Sequence, residues 1–257
     1  MNVYCIQDSI VWENKLSNFK RVSSLIEKTS IIEYSLIVFP EMFATGFSLN
    51  FFVTTANEPK LTETFLSELA KEKRCWVIAG LTLPSIQENR GKNCAVAFDP
   101  HGKKISEYTK IHPISLLGEN EIHIAGDKIK CFPIRDFQDS PFICYDLRFP
   151  EIFRSAVKMG TNLFVVIACW PKKRIEHWTT LIRARAIENQ AYIVGVNRVG
   201  EDPHLEYGGR SLVITPKGEI IGDGKEKEAV IEAWIDKYKV DAWRDQFPAV
   251  KDIRDDL

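Results

Sequence analysis

Three polar residues stand at the ends of apolar runs, and together they supply a carboxylate, an ammonium and a thiol. Glu41 follows Leu36-Ile37-Val38-Phe39-Pro40 and precedes Met42-Phe43-Ala44-Thr45-Gly46-Phe47. A carboxylate flanked by apolar groups suits general-base work near neutral pH; the plainer alternative is a loop glutamate capping a turn. Lys110 sits in Tyr108-Thr109-Lys110-Ile111-His112-Pro113, where a strand leaves a hairpin. An ammonium fixed there could hold a developing oxyanion, although strand-end lysines are commonly just solvated. Cys144 ends Pro141-Phe142-Ile143 and opens Tyr145-Asp146-Leu147-Arg148-Phe149-Pro150-Glu151. A cysteine at a strand-to-helix turn points into a cleft, and backbone N–H groups at such a turn form half an oxyanion hole. A buried inert thiol is the alternative, and it fits Cys5, Cys75, Cys94 and Cys131 better. Cys169, ending a strand before Trp170-Pro171, is a weaker rival nucleophile.

Other chemistries have no footing in the sequence. It contains no G-x-G-x-x-G, no P-loop and no G-x-S-x-G. The histidines (101, 112, 123, 177, 204) and the cysteines lack metal-ligand spacing, so no metal site is expected. A net charge of −1 over 257 residues removes the electrostatic footprint of a nucleic-acid or anionic-membrane binder. The longest apolar run, Leu163 to Trp170, falls far short of the ~20 residues a membrane helix needs. The opening Met1-Asn2-Val3-Tyr4 has no basic region before its apolar stretch. A reduced, cytoplasmic protein is the expectation.

The elements that must position these residues alternate along the chain. Val3–Ile6, Leu36–Phe39, Trp76–Ala79, Leu163–Ala168 and Tyr192–Val196 read as strands, and Phe142–Cys144 as a strand end. Leu16, Phe19, Val22 and Ile26 recur at helical spacing, as do Leu61, Phe65 and Leu69, and Trp178, Leu181, Ile182 and Ala186. A further helix opens near Pro150, since proline suits a first turn. Asp99-Pro100-His101-Gly102 and Thr215-Pro216-Lys217-Gly218 are hairpin turns. After Trp234 the chain is strongly charged and should end as a short helix and tail. No linker or repeat interrupts it, so one α/β domain with mixed sheets is expected. Pattern alone does not choose between a layered sandwich and an open, doubly wound sheet.

Glu41 in Phe-Pro-Glu-Met-Phe, Lys110 in Tyr-Thr-Lys-Ile-His and Cys144 in Ile-Cys-Tyr-Asp-Leu-Arg-Phe-Pro-Glu, in that order, resemble the triad of the nitrilase (carbon–nitrogen hydrolase) superfamily. Trp170-Pro171 with His177-Trp178, the run Arg183 to Gln190, and Asn197-Arg198-Val199-Gly200 look like further family blocks. Glu119, shortly before Ala125-Gly126, falls where that family carries a second glutamate beside the lysine. The blocks span nearly the whole chain. Cys-Tyr-Asp-Leu-Arg-Phe-Pro, Ala-Ile-Glu-Asn-Gln-Ala-Tyr, Asn-Arg-Val-Gly and the late Phe247-Pro248-Ala249 look like the omega-amidase branch. One departure is Gly209-Arg210-Ser211, where that branch usually has Gly-Asp-Ser. Arg210 leaves the triad untouched and puts local packing or an interface contact in doubt.

The resemblance implies a four-layer α-β-β-α sandwich over residues 1–257, paired as a homodimer, with residues 236–257 as a charged helix and tail at the contact. It implies hydrolysis of a small 2-oxo dicarboxylic monoamide through a thioester on Cys144, without metal or organic cofactor. Glu41 would be the base, Lys110 and the Tyr145 N–H the oxyanion donors, and Glu119 the residue that orients Lys110 or water. A substrate carboxylate needs a cation. Lys172 and Arg174 are preferred for it over Arg148, which is expected to pair with Glu151. Phe43, Tyr145 and Trp170 are expected to line the pocket. The rivals are an N-carbamoyl amino acid amidohydrolase or another amidase with the same triad, a papain-like Cys/His hydrolase, and a non-catalytic scaffold homodimer.

Overall fold

Runs of β-branched and aromatic residues become strands here because both of their faces find apolar cover. The computed structural model describes residues 1–87 and 89–254. The first half runs β1 (Asn2–Gln7), α1 (Lys15–Glu27), β2 (Leu36–Val38), a short α2 (Phe51–Thr54), α3 (Lys60–Lys73), β3 (Trp76–Pro84), β4 (Gly91–Phe98) and β5 (Lys104–Thr109). A short α4 (Glu119–Ile122) leads to β6 (Phe132–Ile134), β7 (Phe137–Ile143), α5 (Pro150–Lys158), β8 (Leu163–Ala168), α6 (Ile175–Asn189) and β9 (Tyr192–Asn197). A ribbon of β10 (Val199–Glu201) and β11 (Glu206–Gly208) follows. The chain ends with β12 (Leu212–Ile214), β13 (Ile220–Asp223), β14 (Ala229–Trp234) and α7 (Lys237–Gln246).

The strands form two six-stranded sheets of like design. One has the order β14-β1-β2-β3-β4-β5, with β1, β2 and β3 parallel and their flanking strands antiparallel. The other has the order β13-β12-β9-β8-β7-β6, with β7, β8 and β9 parallel at its centre. Side-chain alternation sorts the layers. Val3 and Cys5 of β1, Leu36 and Val38 of β2, and Ala95 and Ala97 of β4 face the second sheet. Tyr4, Ile6, Ile37, Cys94, Val96 and Phe98 face the opposite way, onto α1 and α3. There Phe19 and Phe65 stack with ring centroids 4.4 Å apart. Helices α5 and α6 cover the outer face of the second sheet through Phe153, Ala156, Trp178 and Ile182. The molecule is thus a single α/β domain of four layers, α-β-β-α. Each fully buried Leu, Ile, Val or Phe contributes about 1.5–3 kcal/mol of burial energy.

The uninterrupted run Leu163–Ala168 is buried along its whole length, as a central parallel strand sandwiched between layers must be. Strand β3 extends past Ala79 to Pro84 because β4 pairs with it throughout, from Val77 opposite Phe98 to Pro84 opposite Gly91. The charged end forms α7, whose Asp236 side chain accepts from the Tyr238 N–H. Residues 255–257 of the expected tail lie outside the described residues.

Candidate active site

Parallel strands gather their C-terminal ends on one edge of a sheet, and in α/β folds that edge carries the chemistry. Here two such edges meet. Glu41 follows β2, Lys110 follows β5, Cys144 follows β7 and Cys169 follows β8. A cavity of about 340 Å³ opens onto Lys110, Cys144 and Cys169.

Glu41 is held by backbone before side chain. The Phe43 N–H donates to the Gly80 carbonyl (3.1 Å) and the Gly80 N–H to the Pro40 carbonyl (3.1 Å), laying residues 40–43 against β3. A Cβ on Gly80 would sit 2.6 Å from both Glu41 Cα and Met42 N, so only glycine allows this approach. The Glu41 carboxylate has no exposed surface. Its Oε1 accepts from Asn93 Nδ2 (2.7 Å) and Lys110 Nζ (3.0 Å), and its Oε2 from the Cys169 N–H (2.8 Å).

Lys110 extends the β4–β5 ladder: its N–H donates to the Asn93 carbonyl (2.9 Å), and its own carbonyl accepts from the Gly126 N–H (2.8 Å). Its ammonium reaches Glu41 Oε1, Glu119 Oε1 (3.1 Å) and Glu119 Oε2 (2.8 Å). Burial works against that charge, but the Glu119 and Glu41 carboxylates outweigh it and hold the ammonium well above the ordinary lysine pKa. Glu119 mirrors this. Burial would raise its carboxyl, yet Lys110 and hydrogen bonds from His123, Lys110 and Asn93 bring it down to about 2. The Ile114 N–H (2.7 Å) completes its set of donors.

Cys144 occupies the left-handed region at φ 48°, an uncommon conformation for a non-glycine residue. The one-turn helix Cys144–Arg148 begins there, so N–H groups in this turn lack intrahelical acceptors. Burial first and Glu41 second push its thiol well above the ordinary range, with Lys110 acting against both. The turn is fixed by Asp146, which is fully buried. Its carboxylate accepts from Tyr108 OH (2.7 Å), Ile143 N–H (3.1 Å) and His112 N–H (2.9 Å), and lies 2.9 Å from His112 Nδ1. Asp146 therefore ties the cysteine turn to the strand that delivers Lys110. Cys169 is more buried, and its Sγ contacts the Glu41 carbonyl at 3.2 Å.

Of the residues expected to shape the pocket, Tyr145, Trp170 and Arg174 line it and two others do not. Phe43 is fully buried in the helix-facing core, 4.9 Å from the Phe39 ring and 6.0 Å from Phe19. The backbone is left-handed at Met42 (φ 44°) and Gly46 (φ 75°), and Phe47 lines the pocket instead, with Lys110 Nζ 5.4 Å from its ring centroid. Lys172 lies outside the pocket, 3.8 Å from Glu226. Arg148 does line it, lying over Trp170 (4.8 Å) and contacting His177 (3.3 Å) rather than pairing with Glu151. Ile114, Leu116, Leu117 and Leu205 form an apolar rim. Arg210 sits away from the pocket, bonded to Asp223 (3.1 Å). Asn93 is a residue the sequence pattern missed; its only signal was an amide inside the β run Lys92–Phe98.

The block Asn197-Arg198 also gains a physical role. Asn197 Oδ1 accepts from the Trp170 N–H (2.7 Å) and its Nδ2 donates to the Trp170 and Gly209 carbonyls, fixing the strand end after Cys169. Among the described residues no group of three or more His, Cys, Asp or Glu side chains is arranged to hold a metal ion.

The carbon-nitrogen hydrolase family model matches residues 3–245. The chain is 33% identical over 257 residues to the 2-oxoglutaramate amidase of Bacillus subtilis (strain 168), covering 99% of this chain and 98% of that protein. It is 36% identical over 255 residues to the 2-oxoglutaramate amidase of Paenarthrobacter nicotinovorans, covering 95% and 85%. Among solved structures, a CN-hydrolase superfamily protein from Xanthomonas campestris superposes with a TM-score of 0.92 at 29% identity, covering 99% of this chain and 97% of that one. A buried Glu–Lys–Glu cluster beside a strained cysteine, a four-layer sandwich and these matches lead to one statement: the chain belongs to the carbon-nitrogen hydrolase family.

Proposed function

We propose that the protein is an omega-amidase, hydrolysing the terminal amide of a small 2-oxo dicarboxylic acid monoamide of the 2-oxoglutaramate or 2-oxosuccinamate type. The observation that carries this is that one cavity of about 340 Å³ is lined by Lys110 and Cys144 together with Arg148 and Arg174. It offers a nucleophile for the amide end and cations for a distal carboxylate. Glu41 takes the Cys144 proton and the sulfur attacks the amide carbonyl. Lys110 and the Tyr145 N–H receive the oxyanion, Glu41 returns the proton to nitrogen, and ammonia leaves a thioester. Glu41 then activates water, whose attack releases the carboxylic acid and the thiol. Glu119 orients Lys110 throughout. The steps use Glu41, Lys110, Glu119 and Cys144 with the Tyr145 backbone N–H and one water.

Two finer points belong to the same proposal. A homodimer is supported by exposed apolar residues on the C-terminal elements, Trp234, Tyr238 and Phe247, and sedimentation velocity measures it directly. A cytoplasmic location is in keeping with six unpaired cysteines. The experiment that tests the function measures ammonia release from 2-oxo acid ω-amides and N-carbamoyl amino acids, with intact-mass detection of an acyl group. Turnover of the oxo-amides with an adduct on Cys144, abolished in Cys144→Ala, is expected. Undiminished ammonia release by that variant would overturn the assignment, and turnover confined to carbamoyl substrates would redirect it.

A further inference from the structure

The Lys110 ammonium has three N–H bonds, and three carboxylate oxygens take them: Glu41 Oε1, Glu119 Oε1 and Glu119 Oε2. In this arrangement it has no donor left for an oxyanion. Turning one N–H toward the reacting carbonyl strips a buried carboxylate oxygen of a partner, which is costly where water cannot replace it. The cluster is also net negative, with two carboxylates against one ammonium, and an oxyanion adds to that charge.

Asn93 bears on both problems. Its Nδ2 donates to Glu41 Oε1 (2.7 Å) and Glu119 Oε1 (2.8 Å), oxygens that Lys110 also serves. Each therefore keeps a donor when the ammonium turns away. The amide is fully buried and sits on β4 beside Lys110, joined to it by the backbone bond between the strands. Its orientation is dictated by the carboxylates, because the opposite flip would set an amide oxygen against two anions. The Asn93 Oδ1 is left buried without a hydrogen-bond partner among the described residues, a cost retained so that both N–H bonds face the carboxylates. Asn93 is neutral, so it supports the pair without adding a charge that would compete with Lys110 for the oxyanion. The Cys169 N–H on Glu41 Oε2 and the Ile114 N–H on Glu119 Oε2 hold the other two oxygens, and His123 Nδ1 lies 3.3 Å from Glu119 Oε1, so Glu41 Oε1 is the oxygen for which Asn93 is the one donor besides Lys110 among the described residues.

We infer that Asn93 is a positioning residue: it substitutes for Lys110 at Glu41 and Glu119, freeing one lysine N–H for the tetrahedral oxyanion. The inference rests on the proposed thioester chemistry but is tested apart from the amide substrate. Acylation of Cys144 by p-nitrophenyl acetate passes through the same oxyanion, whereas alkylation by iodoacetamide forms none. Asn93→Ala should slow ester acylation by about tenfold to a hundredfold, in the range of losing an oxyanion donor, and leave alkylation within about threefold. Amide turnover should then lose kcat with little change in KM. Asn93→Leu keeps a branched, uncharged side chain while removing both N–H donors, and serves if the alanine variant does not fold. Ester acylation within threefold of the parent, or equal slowing of ester and iodoacetamide, would overturn the inference. Normal Asn93 dependence on the ester with no turnover of any amide would instead fault the substrate assignment alone.

Discussion

Replacing Glu119 by Gln tests the electrostatics of the site, because it removes a charge while keeping the volume and an acceptor for the Ile114 N–H. Burial penalises the Glu119 carboxylate, but Lys110 and three hydrogen bonds more than offset that and set its pKa at about 2, against an ordinary 4.5. At about 1.4 kcal/mol per pH unit, ionised Glu119 therefore stabilises the fold by about 3 kcal/mol at neutral pH. The sign follows from a depressed acid. The contribution is complete above pH 4.5 and is lost as pH falls toward 2. Urea unfolding of parent and Glu119→Gln at pH 7 and pH 3.5 reads it. The gap in unfolding free energy should be about 3 kcal/mol at pH 7 and about 1 kcal/mol smaller at pH 3.5. A gap below 1 kcal/mol at pH 7, or one unchanged between the two pH values, would refute the argument (~1 kcal/mol being what a neutral hydrogen bond supplies).

Four other outcomes are expected. Gly80→Ala places a methyl 2.6 Å from backbone atoms of Glu41 and Met42; it should displace the carboxylate and lower kcat by about a hundredfold, as an error near 1 Å does. Kinetics within a few-fold of the parent would show that the loop yields instead. Among the described residues Asp139 is buried without a hydrogen bond to either carboxyl oxygen, and burial raises its pKa well above normal. Folding with a raised acid grows less favourable as pH rises from the unfolded value, so Asp139→Asn should raise the urea midpoint, more at pH 8 than at pH 5; an equal midpoint at both would count against it. Arg148→Ala should raise KM for 2-oxo acid amides by about tenfold or more while sparing uncharged amides, as loss of a charge-assisted hydrogen bond does. Lys172→Ala, outside the pocket, should leave both unchanged.

Much of the fold was legible because burial imposes period on sequence. Leu163–Ala168 needs two covered faces, and the Pro-Gly turn clusters announce both hairpins. Glu41, Lys110 and Cys144 each have a plain structural reading when taken singly, and stood out because their three motifs occur together, in the order of the triad they resemble. What escaped was geometry that no local pattern encodes. Phe43 and Phe47 look interchangeable in sequence, yet Phe43 packs in the core and Phe47 lines the pocket, with left-handed backbone at both Met42 and Gly46. Lys172 and Arg148 are both cations near family blocks, yet only Arg148 finds an aromatic face, Trp170, to lie on. Asn93 sits mid-strand, and its value depends on Glu41 and Glu119, residues distant in sequence that reach it only when the chain is folded.

The meeting of two sheet edges has a consequence for the chain as an object that can be cut. Every member of the carboxylate–lysine cluster precedes residue 127, and both pocket thiols follow it. Yet β14, from the far end of the chain, is stitched back onto β1, from Asn2 opposite Trp234 to Gln7 opposite Ala229. A break between Asp127 and Cys131 would thus yield two pieces, one holding the proposed base and the other the proposed nucleophile, clasped by a strand of the second laid along the first. Activity of such a split enzyme would report reassembly of the halves rather than the survival of either.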